Sequence, residues 1–389
     1  MAYLCNPIPL KLNTEVLIPI LCSLFFVSVA VQLYFILFVF HKINPVDSEE
    51  TANIKPFGVS VIVCAWNELE NLKELLPLLN NQNYKTFEVI IVDDRSWDKT
   101  YDYLLIECAD YQKVRFLRIE KTPDHLSSKK YALTLGIKSA KYDIILLTDA
   151  DCRPQSEFWV KEMAACMTSE KEIVLGFSPY FKAKGFLNNL IRYETFITAL
   201  QYFSFALVGV PYMGVGRNLM YRKSLFLKNK GFAKHTNIVG GDDDLFMNDV
   251  ATHENTAICL NADAFIYSIP KTTWQTWYRQ KRRHLSVSKR YKLHNKILLG
   301  GLASTQIFAW LIFLILIPFL WHNPLIYAML GVFLTRIIAQ WIVFGKANKQ
   351  LDNTLETLTL PLWDGIFTLY FLIMGINNFI PRQSKMRWR

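Results

Sequence analysis

The stretch IILLTDADCRP, residues 144–154, runs from four apolar residues into two aspartates separated by a single alanine. A continuous apolar run of this length, as opposed to an alternating one, is typical of a strand covered on both faces of a parallel sheet. Ligands of such sheets bind at the carboxyl ends of the strands. The stretch therefore predicts a buried strand that ends at a binding site containing Asp149 and Asp151.

Similar apolar, β-branched runs precede this strand, and amphipathic stretches separate them. We predict strands over residues 59–64, 88–92, 114–119 and 143–148, and helices over residues 70–80 and 129–140. This order is a βαβ series, which forms a parallel sheet with right-handed crossovers. Polar side chains directly follow the first, second and fourth strands: Asn67 and Glu68, Asp93 and Asp94, and Asp149 and Asp151.

Carboxylates gathered at one sheet edge repel one another unless a cation lies among them. Mg²⁺ and Mn²⁺ prefer such oxygen ligands, so the sequence predicts one of these ions bridging the protein and a diphosphate. A single D-x-D can also cap a turn before Pro154. The motif indicates a metal site only because the other acidic clusters are predicted at the same sheet edge. The sequence has no Walker A motif, and GVGRNL at residues 214–219 lacks the third glycine of a dinucleotide fingerprint. Metal and basic side chains would therefore have to neutralise a bound nucleotide.

The composition argues against an ordinary soluble enzyme. Of the 389 residues, 52% are hydrophobic, and the mean hydropathy is +0.17. The net charge of +10 arises without a long basic run, so an anionic membrane surface or a phosphate-bearing ligand explains it better than a nucleic-acid partner. The 7 cysteines are scattered, which indicates neither a zinc site nor a disulfide framework.

Four segments are long and apolar enough to cross a membrane: residues 16–40, 298–320, 325–344 and 358–380. His41 and Lys42 follow the first segment and place its C-terminal side in the cytosol. A cleaved signal peptide is the alternative, but no small-residue cleavage site follows, so we expect a retained anchor. We expect a multi-pass protein of the bacterial inner membrane in four parts: an anchor and linker (1–53), a cytosolic α/β domain (54–273), a basic interfacial segment (274–297) and a membrane bundle (298–389).

Charged residues complicate this arrangement. Arg336 and Asp364 lie within apolar segments, where each costs about 2.5–3.5 kcal/mol at the bilayer centre, so we predict that they either face protein, where they could pair, or snorkel outward. With four spans, the basic tail RQSKMRWR would lie outside the cell, against the positive-inside tendency. Either residues 358–380 do not cross the membrane or the tail is an exception. Residues 190–212 predict an amphipathic helix with one face towards lipid.

Seven motifs occur in one order along the α/β region: VSVIVCAWNE, VIIVDDRSWDKT, SSKKYAL, LLTDAD, GVGRNLMYRK, GGDDDLF and QKRRH. In this order and spacing, over about residues 59–290, they resemble the membrane-bound family 2 glycosyltransferases of the Q-x-x-R-W type. The resemblance implies a GT-A fold, which is a Rossmann-like α/β domain, with one N-terminal and two to three C-terminal transmembrane helices.

The donor site follows from the resemblance motif by motif. Asp94, with Asp93 beside it, is expected to contact the nucleotide base and ribose, and Lys129 is expected to lie beneath the donor. Asp149 and Asp151 match the metal and diphosphate motif, with Asp151 as the direct ligand of Mg²⁺ or Mn²⁺. We also assign Asn67 and Glu68, at the end of the first strand, to the donor site.

The resemblance also places the catalytic base. GGDDDL aligns with the family's T-E-D-x-D-L when the closing Asp-Leu is superposed, which makes Asp242 the expected general base. The family's glutamate is Gly241 here, so Asp243 stays as the alternative base. Gln280 and Arg283 match Q-x-x-R-W and are expected at the donor, whereas the closing tryptophan is replaced by His284.

The activity implied by the resemblance is metal-dependent transfer of a sugar from a nucleotide-diphosphate sugar to a lipid or lipid-linked acceptor at the cytosolic membrane face. With one base and no second nucleophilic carboxylate required, direct displacement with inversion is the simplest mechanism. Two alternatives stay open: a processive polysaccharide synthase, which the Q-x-x-R motif favours, and a non-catalytic membrane scaffold that keeps the fold.

Overall fold

The computed structural model describes residues 14–43, 57–123, 126–236, 238–352 and 354–379. Most of the predicted linker up to residue 53 and the whole basic tail at residues 382–389 lie outside these ranges. The division of the chain at residues 53, 273 and 297 therefore stays a prediction.

Nine strands form two sheets. The strands are β1 (Val59–Ala65), β2 (Phe87–Asp94), β3 (Val114–Ile119), β4 (Ile144–Asp149), β5 (Cys152–Pro154), β6 (Ile173–Leu175), β7 (Leu219–Arg222), β8 (Thr256–Ile258) and β9 (Ile266–Ser268), within the part of the chain that the structure describes. The large sheet has the order β3-β2-β1-β4-β7-β6-β8, and β5 pairs with β9.

The centre of the large sheet is parallel, as predicted. Strand β1 pairs with β2 on one side and with β4 on the other, and every residue of β1 is buried. Helices cover both faces, which explains why these strands are continuously apolar. The remainder of the sheet departs from the prediction of a parallel sheet, because β7 runs antiparallel to both β4 and β6.

Twelve α-helices accompany the strands in the described ranges. They are α1 (Thr14–Tyr34), α2 (Leu69–Asn80), α3 (Thr100–Asp110), α4 (Ser128–Ser139), α5 (Trp159–Ala165), α6 (Phe186–Leu207), α7 (Lys223–Lys228), α8 (Asp244–Val250), α9 (Trp274–Ser288), α10 (Leu293–Leu320), α11 (Leu325–Gln350) and α12 (Leu360–Phe379). Helix α4 packs close to the sheet because it has glycine at position 136, where a Cβ would come within 2.8 Å of Ile62. This packing places the N-terminus of α4 at the edge where β1 and β4 end.

Four helical segments are candidate membrane spans by length and composition: residues 15–43, 293–320, 325–350 and 357–375. They confirm the four apolar segments predicted from the sequence. The first continues from α1 through a π-helical turn and a 3₁₀ turn that ends at Ile43. Large apolar side chains such as Phe38 and Phe319 are exposed on these helices, as expected of a surface that faces lipid.

Helix α6 corrects a prediction. From Leu190 onward its side chains are buried or half-buried all around the helix, so it has no exposed apolar face for lipid. Its aromatic residues pack between the sheet and the bundle, where Phe205 contacts Phe40 and Phe196 contacts Phe344. One hydrophobic core therefore continues from the sheet into the candidate membrane helices.

Candidate active site

The sheet brings two of the predicted acidic clusters to one edge. Asp93 lies opposite Ala65 at the end of β1, and Asp149 lies opposite Cys64 on the other side of the same strand. Because β1, β2 and β4 are parallel, their carboxyl ends lie side by side. The predicted convergence of polar residues at this edge is therefore present.

Lys129 connects the sheet edge with the GGDDDLF loop. Its Nζ lies 3.0 Å from Asp149 Oδ1 and 3.1 Å from Asp242 Oδ2, although these residues are far apart in sequence. Burial acts to lower the pKa of Lys129, but the negative charges of Asp149 and Asp242 outweigh it and the pKa lies well above its ordinary value. The lysine is therefore a permanent cation between the two carboxylates.

Asp149 and Asp151 fit a divalent metal ion that also binds phosphate. Burial and the charge of Asp149 raise the pKa of Asp151, which is the effect of two close carboxylates. No cluster of three or more protein ligands suited to a metal occurs in the described ranges. Two carboxylates agree with Mg²⁺-type binding, in which substrate phosphates and water supply the other ligands.

Two glycines shape the loop that carries the three consecutive aspartates. Gly240 and Gly241 have φ of 87° and 73°, a left-handed conformation that disfavours other residues. A Cβ at position 241 would also lie 2.6 Å from Leu245. The glycine that replaces the family's glutamate is thus required by the turn. Lys130 fixes the preceding segment by donating to the carbonyl oxygens of His235 and Ile238.

The three aspartates have different partners. Asp243 accepts hydrogen bonds from the backbone N–H of Gly216 and of Asp244, both at 2.8 Å. Asp244 accepts from its neighbour Leu245 and from the Tyr291 hydroxyl. Asp242 instead has its Oδ2 beside Lys129 and lines the cavity described below.

Asp242 is also the aspartate of the three that stays ionised most readily. Burial acts to raise its pKa, but the positive charge of Lys129 outweighs burial and the pKa lies below its ordinary value. Burial and the charge of Asp242 raise the pKa of Asp243. This arrangement favours Asp242 over Asp243 as a base, and both roles stay predictions.

Helix α9 supplies the opposite wall. Gln280, Arg283 and His284 all line the same cavity as Asp149 and Asp242. Enclosure of the His284 ring and the positive charges of Lys281 and Arg283 hold its pKa well below the ordinary value, so the imidazole is neutral near pH 7. A neutral hydrogen-bonding ring therefore stands where the family has tryptophan.

We call the space enclosed by these residues the transfer cavity. It has a volume of about 380 Å³ and begins at Lys129, Asp149, Asp151, Asp242 and Asp243. From there it passes between α6 and α9 and reaches α10 and α12, where the lining residues are Leu299, Leu302, Ala303, Gln306, Tyr370 and Phe371. The cavity thus joins the sheet edge to two candidate membrane helices.

Four predicted site residues lie at the same sheet edge but do not line the transfer cavity. Asp94 is fully buried and is paired with Arg95 at 2.8 Å, and Asp93 is fully buried and accepts from the Ser96 N–H. Asn67 Oδ1 accepts from the Trp97 N–H. These contacts shape the loop that follows β2.

Glu68, the fourth of these residues, accepts a hydrogen bond from Asn71, and burial raises its pKa. Donor binding by Asn67, Glu68, Asp93 and Asp94 stays a prediction.

Arg217 and Tyr180 are candidate site residues that were not predicted from the sequence. Both line the transfer cavity, and the guanidinium carbon of Arg217 lies 4.4 Å from the centre of the Tyr180 ring. Arg217 lies inside a motif that the resemblance contained, GVGRNLMYRK, and a lone arginine between glycine and asparagine before an apolar strand was the available signal. Tyr180 has no signal of its own, because its contact depends on the fold.

Comparison with known proteins agrees with the fold. Residues 60–228 match the family model described as Glycosyl transferase family 2. Probable glycosyltransferase YdaM of Bacillus subtilis is 27% identical over 241 residues, which cover 58% of this chain and 54% of YdaM. Dolichol-phosphate mannosyltransferase of Pyrococcus furiosus is 31% identical over 141 residues, which cover 36% of this chain and 38% of that enzyme.

A solved structure shares the fold over most of the chain. It is the mannosyltransferase PcManGT from Pyrobaculum calidifontis in complex with GDP-Man and Mn²⁺, with a TM-score of 0.54, 16% identity and coverage of 92% of this chain and 98% of that chain. The mixed α/β domain therefore has the GT-A fold, and candidate membrane helices lie on both sides of it in the chain. The α/β region of the chain is therefore similar to glycosyl transferase family 2 in sequence as well as in fold. The matches span about half or less of the curated relatives' own lengths.

Proposed function

We propose that this protein is a metal-dependent, inverting glycosyltransferase. It moves a sugar from a nucleotide-diphosphate sugar to a lipid or lipid-linked acceptor at the cytosolic face of the membrane. The observation that carries the proposal is the position of Lys129 between Asp149 and Asp242, within a cavity that extends to α10 and α12. A donor at the sheet edge and an acceptor arriving from the bilayer would meet at that point.

The residues support a single displacement. Asp242, kept ionised by Lys129, is suited to take the proton of the acceptor hydroxyl, a role that contributes about 10²- to 10⁴-fold to rate. Arg283 is suited to offset the negative charge of the departing diphosphate. Asp149 and Asp151 would hold the divalent ion, which when bound supplies further positive charge to that diphosphate. Because one base is sufficient, the configuration at the anomeric carbon inverts.

The membrane end of the cavity favours a lipid or lipid-linked acceptor. Its lining there is apolar except for Gln306 and the Tyr370 hydroxyl, and it lies between α10 and α12, both candidate spans. The fold relative PcManGT was solved with GDP-Man and Mn²⁺, and Dolichol-phosphate mannosyltransferase is a sequence relative, both of which agree with this proposal. The cytosolic side follows from His41 and Lys42 after the first span.

The test uses the full chain purified in detergent. A panel of labelled nucleotide sugars is incubated with Mn²⁺ and a bacterial lipid extract, with and without EDTA, and the products are separated by chromatography. We expect one nucleotide sugar to yield a lipid product carrying one added sugar, with no product in EDTA. Absence of both transfer and hydrolysis for every donor, with Asp242→Asn indistinguishable from the parent protein, would support a scaffold instead.

A processive synthase is the second candidate. The Q-x-x-R motif, Gln280 to Arg283, favours it, and the same assay separates the two. A ladder of products from one acceptor would indicate polymerisation, whereas a single product indicates single transfer.

A further inference from the structure

The transfer cavity contains two arginines that are not used in ion pairs. Lys129 is already paired with Asp149 and Asp242. Arg283 and Arg217, in contrast, are paired with no carboxylate in the described part of the chain. Arg283 belongs to the Q-x-x-R motif, whereas nothing so far has given Arg217 a role. The cavity therefore holds a cation that the proposed mechanism does not use.

The backbone on both sides of Arg217 is fixed. The N–H of Gly216 donates to Asp243 Oδ2 at 2.8 Å. On the other side, the fully buried Asn218 accepts from Trp159 Nε1 and donates to the carbonyl oxygens of Phe177 and Ala264. These bonds tie Arg217 to the aspartate loop and to the core, so the direction in which its side chain leaves the backbone is set by the fold.

The guanidinium of Arg217 packs against an aromatic ring, but one of its nitrogen atoms has no hydrogen-bond partner among the described residues. It lies over the Tyr180 ring at 4.4 Å, and Tyr180 is itself buried beside β9 through a bridge to Ser268. Its Nη1 is buried and makes no hydrogen bond with the described residues. Buried charged donors normally have partners, because leaving one unpaired costs free energy. A guanidinium on a cavity wall with a buried, unpaired Nη1 is therefore suited to an anion that arrives with a ligand.

We propose that Arg217 binds a phosphate group in the transfer cavity. Guanidinium presents several N–H groups in one plane and binds phosphate oxygens in a bidentate manner. The inference rests on the proposed function, which brings phosphate into this cavity from one of two sources. The first is the diphosphate of the donor, held near Asp149 and Asp151, whose charges act on Arg217. The second is the phosphate of a lipid-phosphate acceptor that enters between α10 and α12.

The donor source is tested by equilibrium binding to the full chain in detergent. The ligands are UDP, GDP, CDP and dTDP, each with Mn²⁺, and the corresponding nucleosides. For a donor contact, Arg217→Ala weakens binding of the preferred nucleoside diphosphate about 10- to 100-fold. Binding of the nucleoside stays unchanged, because it lacks phosphate. Arg217→Lys recovers part of the loss, since lysine keeps the charge but not the bidentate geometry.

The acceptor source is tested with polyprenyl phosphate and polyprenol in mixed micelles. For an acceptor contact, Arg217→Ala leaves nucleoside diphosphate affinity unchanged and abolishes the preference of the enzyme for polyprenyl phosphate. The matched control is Arg282→Ala, because Arg282 lies over Tyr278 on α9, 5.9 Å from the ring centre, and does not line the cavity. We expect this control to retain both affinities.

The outcomes separate the inference from the proposed function. If the parent protein binds no nucleoside diphosphate and transfers no sugar, the proposed function fails. If the parent protein binds both ligands and folded Arg217→Ala and Arg217→Lys bind them equally well, Arg217 is not a phosphate ligand and the inference is overturned. Thermal unfolding in detergent establishes that the variants are folded, and Arg217→Lys serves if the alanine variant does not fold.

Discussion

Two clusters of buried charge in this protein differ in how completely they are satisfied. In the membrane bundle, Asp364 pairs with Arg336, and both side chains are 1% exposed. Neutral donors complete the shell of Asp364: Gln306 at 3.0 Å, Trp310 at 2.7 Å and Gln340 at 2.8 Å. The Asp364 carboxylate has no capacity left for a ligand, although Arg336 Nε and Gln340 Oε1 have no hydrogen-bond partner among the described residues. Every charge of the cluster thus has an ion-pair partner, and the cluster joins α10, α11 and α12.

The transfer cavity shows the opposite balance. Lys129 is shared between two carboxylates, and Asp151 makes one long ion pair, with Lys271 at 3.9 Å. Arg217 forms no ion pair with a carboxylate in the described ranges, and its Nη1 has no hydrogen-bond partner there. A cluster of this kind is incomplete until ligands with phosphate and metal charge enter. Buried charge by itself therefore does not identify a functional site, whereas buried charge without partners does.

The largest expected effect is on the transfer rate, from a substitution of Asp242 in the transfer cavity. Asp242→Asn should lower the transfer rate about 10²- to 10⁴-fold, because the amide cannot accept the proton of the acceptor hydroxyl. Nucleoside diphosphate affinity and the unfolding midpoint should change little. The transfer rate is measured by product formation, and the nucleoside diphosphate affinity is measured by equilibrium binding.

The matched control for this variant is Asp243→Asn, whose parent side chain accepts from two backbone N–H groups. We expect it to lose stability and to keep part of its activity. Full activity of Asp242→Asn together with an inactive Asp243→Asn would move the base to Asp243.

The next largest effect is expected on stability, from substitutions in the cluster around Asp364 and Arg336. Asp364→Ala leaves Arg336 buried without its partner, and we expect a loss of about 3–5 kcal/mol in the free energy of unfolding. The double variant Arg336→Leu with Asp364→Leu should recover most of this loss, because apolar residues of similar volume can replace a buried pair. Denaturant unfolding in mixed micelles measures both. A double variant as unstable as the single one would mean that the pair itself is required.

A third pair lies at the border of the two regions. Lys281 Nζ lies 2.6 Å from Glu194, which also accepts from the Tyr370 hydroxyl, so the contact joins α9, α6 and α12. Glu194→Gln should cost about 1.5–3 kcal/mol, the range for hydrogen bonds to charged groups, and should lower activity by loosening the helix that carries Arg283.

The control for this variant is Glu356→Gln. Glu356 is paired with Lys182, and both side chains are more than two-thirds exposed at 78% and 71%. We expect a change within about 0.5 kcal/mol. Equal losses in the free energy of unfolding for the two substitutions would show that burial of Glu194 does not strengthen its ion pair.

The smallest effect is a dependence on pH. Burial and the charge of Asp243 raise the pKa of Asp244 to about 8. Since this pKa lies above that of an unfolded aspartate, the folded state binds the extra proton between about pH 4 and pH 8, and stability falls as pH rises through that window. Asp244→Asn should flatten the profile by roughly 1.4 kcal/mol between about pH 7 and about pH 9, as measured from unfolding midpoints. A steeper profile in the variant would assign the titration to another group.

The predicted and observed elements agree where the signal is local. The strands β1, β2 and β4 and the four candidate spans were visible as largely apolar runs, because the strands are buried along most of their length and the candidate spans are apolar throughout. The antiparallel strand β7 was not foreseen, since a strand of four residues carries no information on direction. Helix α6 was given a lipid face because its composition is apolar, and composition does not tell lipid from protein core.

The sequence by itself determined which residues are candidates for the chemistry: the aspartates after the strands, Lys129, the GGDDDLF loop and the Q-x-x-R pair. It also marked Arg336 and Asp364 as charges within apolar segments. Only the tertiary structure decided that Lys129 lies between Asp149 and Asp242, that Asp93 and Asp94 lie outside the cavity lining, and that Arg217 lies over Tyr180 without an acid. The reason is physical. Chain periodicity reports whether a residue is covered, whereas the partner of a charge depends on contacts between segments that are distant in sequence.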